Sequence, residues 1–159
     1  MEMRPYRPED LETIINIANT AWQPIRQMTR AALGDTISDI FHPAGDAVSK
    51  GLEVQAQIES NDYLIAVCEH ENKVVGFITG KVSGVLGEIC NNAADRSANL
   101  KGIGQTMYKY MLGEFKRAGV RVVKVLTGLD DAHGPARRAY ERAGFKRRLE
   151  SVTYFMELD

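Results

Sequence analysis

The segment "NLKGIGQTMYKYML", residues 99–112, places two glycines one residue apart where a helix is about to begin. Glycine costs a helix interior about 1 kcal/mol relative to alanine, so Gly102 and Gly104 need a reason from outside the helix. From Gln105 onward, Met107, Met111, Leu112 and Phe115 recur at helical spacing, and the pattern stops at Ala118 and Gly119. The apolar run "VRVVKVLTG", residues 120–128, reads as a strand. A glycine-bearing loop that opens a helix in such an order is suited to a phosphate: the first amides of the helix point outward unpaired, and the dipole favours an anion. Without a Cβ, the backbone can approach a diphosphate closely. A tight strand-to-helix turn explains the same two glycines equally well. Two phosphate loops are excluded: there is no GxxxxGK[ST] run, and Met107 stands where a dinucleotide fingerprint carries its third glycine.

Working outward, "GEICNNAAD" (residues 87–95) reads as a strand before the loop, and "YLIAVCEHENKVVGFITGKV" (residues 63–82) as two β-rich runs around a polar turn, an antiparallel hairpin. "MEMRPY" supplies a first strand. After Asp10, a candidate N-cap, Leu11, Ile14, Ile15, Ala18 and Trp22 have helical spacing. Pro24 and "FHPAGD" (residues 41–46) are expected to interrupt this helical part, and a further helix is expected within residues 48–58. "GPARRAYERAGF" (residues 134–145) starts as a helix with Pro135 in its first turn and stops at Gly144, and "SVTYFMEL" (residues 151–158) closes the chain as a last strand. Strands alternating with helices give a layered α/β domain, read as a single domain over residues 1–159.

The 159 residues suffice for one real core, and 44% hydrophobic with 26% charged residues is a globular composition. With 20 basic against 21 acidic residues, the net charge of -1 gives no general attraction to nucleic acid. No apolar run reaches the ~20 residues that span a bilayer, and the charged N-terminus has no signal-peptide core. Cys68 and Cys90 are not in a CxxC arrangement; a reducing, cytoplasmic setting fits them.

The loop resembles the signature of the GNAT superfamily, the coenzyme-A-dependent N-acetyltransferases, whose pattern is Arg or Gln, two residues, Gly, one residue, then Gly or Ala. A second landmark of that family, an Asn, then Ala and Tyr ahead of a Gly-Phe pair, is matched in "HGPARRAYERAGF" by Ala136, Tyr140, Gly144 and Phe145. The element order agrees from about Asp10 onward, and the specific motifs lie between Glu88 and Phe145. The sequence departs from the pattern at Asn99 (for Arg or Gln), Arg96 (for Pro), Ala94 (for Val or Ile) and His133 (for Asn). The resemblance implies a three-layer α/β sandwich. Its central sheet is mixed and mostly antiparallel, of about seven strands, with parallel fourth and fifth strands splayed apart and helices on both faces. It also implies acetyl-CoA as co-substrate. The pyrophosphate would lie on the amides of Leu100, Lys101, Gly102, Ile103, Gly104 and Gln105, beside Asn99. The pantetheine arm would pair with the backbone at Asn92 and Ala94, near Ala136 and His133.

Acetyl transfer to an amine needs a neutral amine, a stabilised oxyanion and a protonated leaving thiolate. Glu88 precedes Gly102 by the same interval as the catalytic Glu of histone-type members, which implies a general base; a solvent-facing strand carboxylate is the alternative. Tyr140 is the implied acid for the thiolate, or else a core ring. His133 serves as a pantetheine contact or relay, or holds a structural hydrogen bond. Asp130, Asp131 and His133 are too few for a metal site, and no metal is expected. Cys90 is a nucleophile for ping-pong transfer or a small core residue. "KRAGVRVVK" and "RRAYERAGFKRR" form a solvated basic face or meet the 3′-phosphate of coenzyme A, and they lack the stacking aromatics of a nucleic-acid site. The acceptor, a small-molecule or peptide amine, is set by residues 10–58 and the hairpin loops, with Trp22, Phe41 and His42 lining a pocket or packing in the core. Neither nucleic acid nor membrane is expected as a partner, and a homodimer stays open. The competing class is a catalytically silent acyl-CoA-binding sensor module.

Overall fold

A computed structural model describes residues 1–158. In chain order it contains β1 (Glu2–Pro5), α1 (Leu11–Phe41), α2 (Ser49–Glu59), β2 (Leu64–His70), β3 (Lys73–Ser83), β4 (Leu86–Ala94), α3 (Ile103–Arg117), β5 (Val122–Val125) and α4 (Gly134–Ala143). The five strands form one sheet in sequence order. β1 to β4 pair antiparallel, and β4 pairs with β5 in parallel. The expected hairpin is closed by Glu71 and Asn72, both at positive φ, the two-residue turn whose twist matches flanking strands.

Two apolar clusters cover the two faces. On one, Ile78 and Ile89 of the sheet meet Met107, Met111 and Phe115 of α3 and Tyr140 of α4. On the other, Val67, Phe77 and Ala93 meet Ile14, Ile17 and Ala18 of α1 and Val54 of α2. Burying each such side chain contributes roughly 1.5–3 kcal/mol. The helix α3 sits close to the sheet because glycines lie beneath it. A Cβ at Gly76 would come within 2.9 Å of Ile103, and one at Gly80 within 2.7 Å of Phe115.

Two expectations are corrected. Pro24 does not interrupt α1, which runs through it and breaks instead at Gly34, whose φ of 81° and ψ of 174° are not helical. Across that kink Arg30 holds three carboxylates, Asp35 at 2.9 Å, Asp39 at 2.8 Å and Asp46 at 2.6 Å. Residues 151–158 form no strand, and the sheet has five strands rather than about seven. An alternating apolar run becomes a strand only against a backbone edge in register. Here Val152, Tyr154, Met156 and Leu158 are exposed, and Phe155 instead meets Phe41 edge-on, with ring centroids 5.6 Å apart. Among the described residues no helix is long and apolar enough to cross a membrane.

Candidate functional site

The pairing of β4 with β5 runs from Leu86–Val122 to Ile89–Val125 and stops there. Residues 90–94 continue β4 against β3 alone, so the sheet opens between its two parallel strands. A bulge shapes this opening. Gly80 pairs with Ile89 and Thr79 with Asn91, which leaves Cys90 as the extra residue on β4. The extra residue shifts the alternation of faces, so Ile89 and Asn92 both look toward α3 although they are three positions apart.

Asn92 joins two tyrosines at that opening. Its Nδ2 donates to the Tyr140 hydroxyl at 3.2 Å, and its Oδ1 accepts from the Tyr108 hydroxyl at 2.8 Å. The two rings lie 5.4 Å apart, and Phe145 packs edge-on against Tyr140. Burial pushes the Tyr140 hydroxyl above its ordinary value, opposed by the hydrogen bond it accepts from Asn92. The hydroxyl therefore holds its proton at neutral pH. Thr127, just beyond β5, has a buried Oγ1 without a hydrogen-bond partner among the described residues.

The loop after β4 is built by two left-handed residues. Asp95 accepts from the Ser97 amide at 2.8 Å and caps a 3-10 turn over Arg96–Ala98, which ends on Asn99 at φ 50°. Asn adopts this region far more readily than Arg or Gln, which gives the departure at Asn99 a structural reason. Gly102 follows at φ 87° as the residue capping α3. Leu100 and Ile103 turn their side chains into the core below. The amides of residues 100–105 consequently find no partner among the described residues, the first bond being Thr106 N–H to Gly102 O at 3.0 Å. The glycines have different reasons. Gly102 meets a conformational need. A Cβ on Gly104 would meet only Tyr108, at an ordinary 3.7 Å, so nothing within the fold requires glycine there. It would project beside the row of free amides.

Glu88 neighbours the small Gly87, over which Phe115 of α3 lies, so alternation turns Glu88 to the face of α1 and α2, opposite Tyr140. Its Oε2 lies 3.0 Å from Lys124 Nζ, the side chains being 35% and 56% exposed. Burial raises the Cys90 thiol, and the charge of Glu88 adds to this. His133 gives its amide to Asp130 Oδ1 at 3.1 Å and sets its Nδ1 2.7 Å from Oδ2. Arg137 donates to the carbonyls of Gly128 and Asp130 at 2.6 and 2.7 Å, fixing this loop. Ala94 and Ala136 pack against the core under α3, and Gln105 donates through Nε2 to the Ala139 carbonyl at 3.0 Å. Among the described residues no three His, Cys, Asp or Glu side chains converge as metal ligands would.

Sequence reasoning missed a polar network behind the opening. Asn91 donates to Gln57 at 2.8 Å and to Glu53 at 3.5 Å, and Glu53 holds the buried Lys50 at 2.7 Å. The signal was the polar pair Asn91 and Asn92 within a strand otherwise apolar except for Glu88.

Residues 22–145, well over half of the chain, match the family model described as the acetyltransferase (GNAT) family. The chain belongs to this family. Solved structures of similar fold include the PaiA N-acetyltransferase of Thermoplasma acidophilum in complex with coenzyme A, at 23% identity and a TM-score of 0.65, covering 91% of this chain and 89% of that one. A GNAT family acetyltransferase of Brucella melitensis in complex with acetyl-CoA is 20% identical, with a TM-score of 0.62 and coverage of 92% and 82%. An aminoglycoside acetyltransferase from an uncultured soil metagenomic sample, in complex with sisomicin, is 18% identical, with a TM-score of 0.63 and coverage of 99% and 96%. At these identities the likeness is one of fold. No curated protein matches the sequence. The expected GNAT membership and the α/β sheet with parallel β4 and β5 are thus borne out.

Proposed function

We propose that this GNAT chain is an acetyl-CoA-dependent N-acetyltransferase that moves the acetyl group to a primary amine by direct attack in a ternary complex. The observation that carries this reading is the row of unpartnered amides at residues 100–105 beside Gly104, leading to a strand opening with a protonated tyrosine hydroxyl. In this reading the amides of Leu100, Lys101, Gly102, Ile103, Gly104 and Gln105 hold the pyrophosphate, next to Asn99. The backbone of Asn92 and Ala94, free on the β5 side, pairs with the pantetheine arm, near Ala136 and His133. Acetyl-CoA supplies the thioester carbonyl. Glu88, from the opposite face, accepts the amine proton directly or through water. The carbon–nitrogen bond forms, the carbon–sulfur bond breaks, and Tyr140 delivers its proton to the sulfur. The raised Cys90 thiol supports direct transfer, since the thiolate and not the thiol is the nucleophile.

The Glu88–Lys124 ion pair favours a second reading, because it engages the carboxylate that the transfer would use. On that reading the domain binds acyl-CoA and performs no transfer. A thiol-release assay over a panel of amines, combined with thermal shift by acetyl-CoA, separates the two. The transferase gives both signals, and the silent module gives the shift alone.

A further inference from the structure

Two buried polar atoms without a hydrogen-bond partner among the described residues, Arg26 Nε and Ser38 Oγ, belong to residues lining one pocket. This pocket has a volume of about 170 Å3 and lies between the two arms of kinked α1, with Thr29, Leu33, Phe41, His42 and Phe155 as its other walls. Ser38 is 1% exposed, and a buried hydroxyl or guanidinium N–H left unpaired costs free energy until an acceptor meets it. The neighbours do not meet it. Glu53 pairs with Arg26 only through Nη2, Oε2 lying 3.8 Å away, and shares its charge with Lys50, which holds Oε1 at 2.7 Å. His42 faces Asp46 through Nδ1 at 2.9 Å, and Asp46 is itself taken by Arg30. The Arg26 Nε–H and the Ser38 hydroxyl thus stand without an acceptor among mostly apolar and aromatic walls.

A carboxylate answers this chemistry, since it has acceptor oxygens for both donors and brings a second negative charge to a place where Arg26 and Lys50 share the one carboxylate of Glu53. The volume is well under the roughly 300–1,000 Å3 of sites that enclose drug-sized ligands, so it fits a small acid or the acidic end of a longer molecule. The pocket is also tied to the strand opening. Glu53, beside Arg26, contacts Asn91 of β4, which lies past the last β4–β5 pair and on the sheet face toward which Glu88 turns.

We infer that this pocket receives the carboxylate of the acceptor, making the acceptor an amino acid or short peptide with a free carboxylate rather than a polyamine or an aminoglycoside. The inference rests on the proposed transferase reading and narrows its acceptor. The test compares amines with their carboxyl-amidated forms: alanine and lysine for free amino acids, alanyl-alanine for peptides, each against its amide. Amidation makes the amine less basic and so favours the amide chemically, which makes any preference for the acid an effect of binding. The wild-type protein should use at least one acid about tenfold better than its amide in kcat/KM, chiefly through KM, and Arg26→Gln should bring that ratio to about one. Which pair shows the ratio distinguishes amino acid from peptide. Ser38→Ala should lower the ratio partially while raising the melting temperature of the ligand-free protein, because it removes the unpaired hydroxyl; this variant carries the test if Arg26→Gln does not fold. Equal use of acids and amides by the wild type, or an undiminished ratio in both variants, overturns the inference. If no amine releases thiol, the transferase reading has failed and the pocket is read by thermal shift in saturating coenzyme A. Stabilisation by the acids and not by their amides then upholds the carboxylate site, and equal response to both overturns it.

Discussion

Asn92 donates its side-chain N–H to the Tyr140 hydroxyl at 3.2 Å, and because Asn92 Oδ1 is occupied by Tyr108, the proton of Tyr140 is not spent on Asn92. A hydroxyl that receives a hydrogen bond while keeping its own proton available suits a general acid.

Tyr140→Phe keeps the ring against Tyr108 and Phe145 and removes the hydroxyl. Acetyl-CoA should still raise the melting temperature, while turnover falls about 10²-fold. Since burial raises the hydroxyl above its usual ~10, its loss of a proton should produce no fall in kcat between pH 7 and 9. An unchanged rate in the variant would leave Tyr140 a core ring, with water protonating the thiolate.

Gly104→Val should separate ligand approach from folding. The added Cβ meets only an ordinary contact with Tyr108, so ligand-free stability should change by no more than about 1 kcal/mol. The rise in melting temperature with acetyl-CoA should vanish, and NAD and ATP should give none with the wild type. Gly102→Ala is the contrast. At φ 87° it should cost about 1–2 kcal/mol in the ligand-free protein. An intact acetyl-CoA shift in Gly104→Val would make the loop a turn and nothing more.

Glu88→Gln keeps the shape of the side chain and removes its basicity. Acetyl-CoA binding should persist, and turnover should fall most at low pH, where neutral amine is scarcest. The broken pair with half-exposed Lys124 should change stability by at most ~1 kcal/mol. Cys90→Ser should be nearly harmless, whereas an acetyl group found on Cys90 by mass spectrometry would require ping-pong transfer. Retention of the wild-type rate and pH profile by Glu88→Gln would mean that solvent takes the proton and that the protein acts chiefly by holding two substrates together.

Asp10 should govern acid stability. Its carboxylate is 4% exposed, accepts from Arg4 at 2.7 and 2.9 Å and from the Arg7 amide at 2.8 Å, and the Arg4 guanidinium holds it below the usual carboxylate range. A group lowered in the folded state stabilises fully above its unfolded value of ~3.9, and that contribution is lost as pH falls through the folded value. Asp10→Ala should cost roughly 2–3 kcal/mol at pH 7, somewhat less than a fully broken buried pair because Arg4 keeps Glu69. Urea unfolding should show the gap from wild type narrowing toward pH 3. A gap independent of pH would remove Asp10 from acid unfolding.

What the sequence determined by itself was local. The β2–β3 hairpin, α3 and α4 were legible because their turns, caps and apolar spacing act within one element: Glu71–Asn72 between two β-rich runs, Gly102 before and Gly119 after the Met107–Met111–Phe115 stripe, Pro135 and Gly144 around Tyr140. The GNAT motifs lie in those same elements, which is why the sequence could single out the loop and the tyrosine as candidates. Tertiary structure alone decided the rest, because it depends on partners far away in sequence. That α1 runs through Pro24 and yields at Gly34, bringing three carboxylates to Arg30, appears only in the folded chain. Residues 151–158 have the alternation of a strand but pair with neither free edge of the sheet. The bulge at Cys90 arises only where β4 meets β3, and by shifting one residue it turns Asn92 toward Tyr140. Arg26 and Ser38 lie on opposite sides of the kink in α1, and nothing in their spacing says that folding would leave both without a partner beside one pocket.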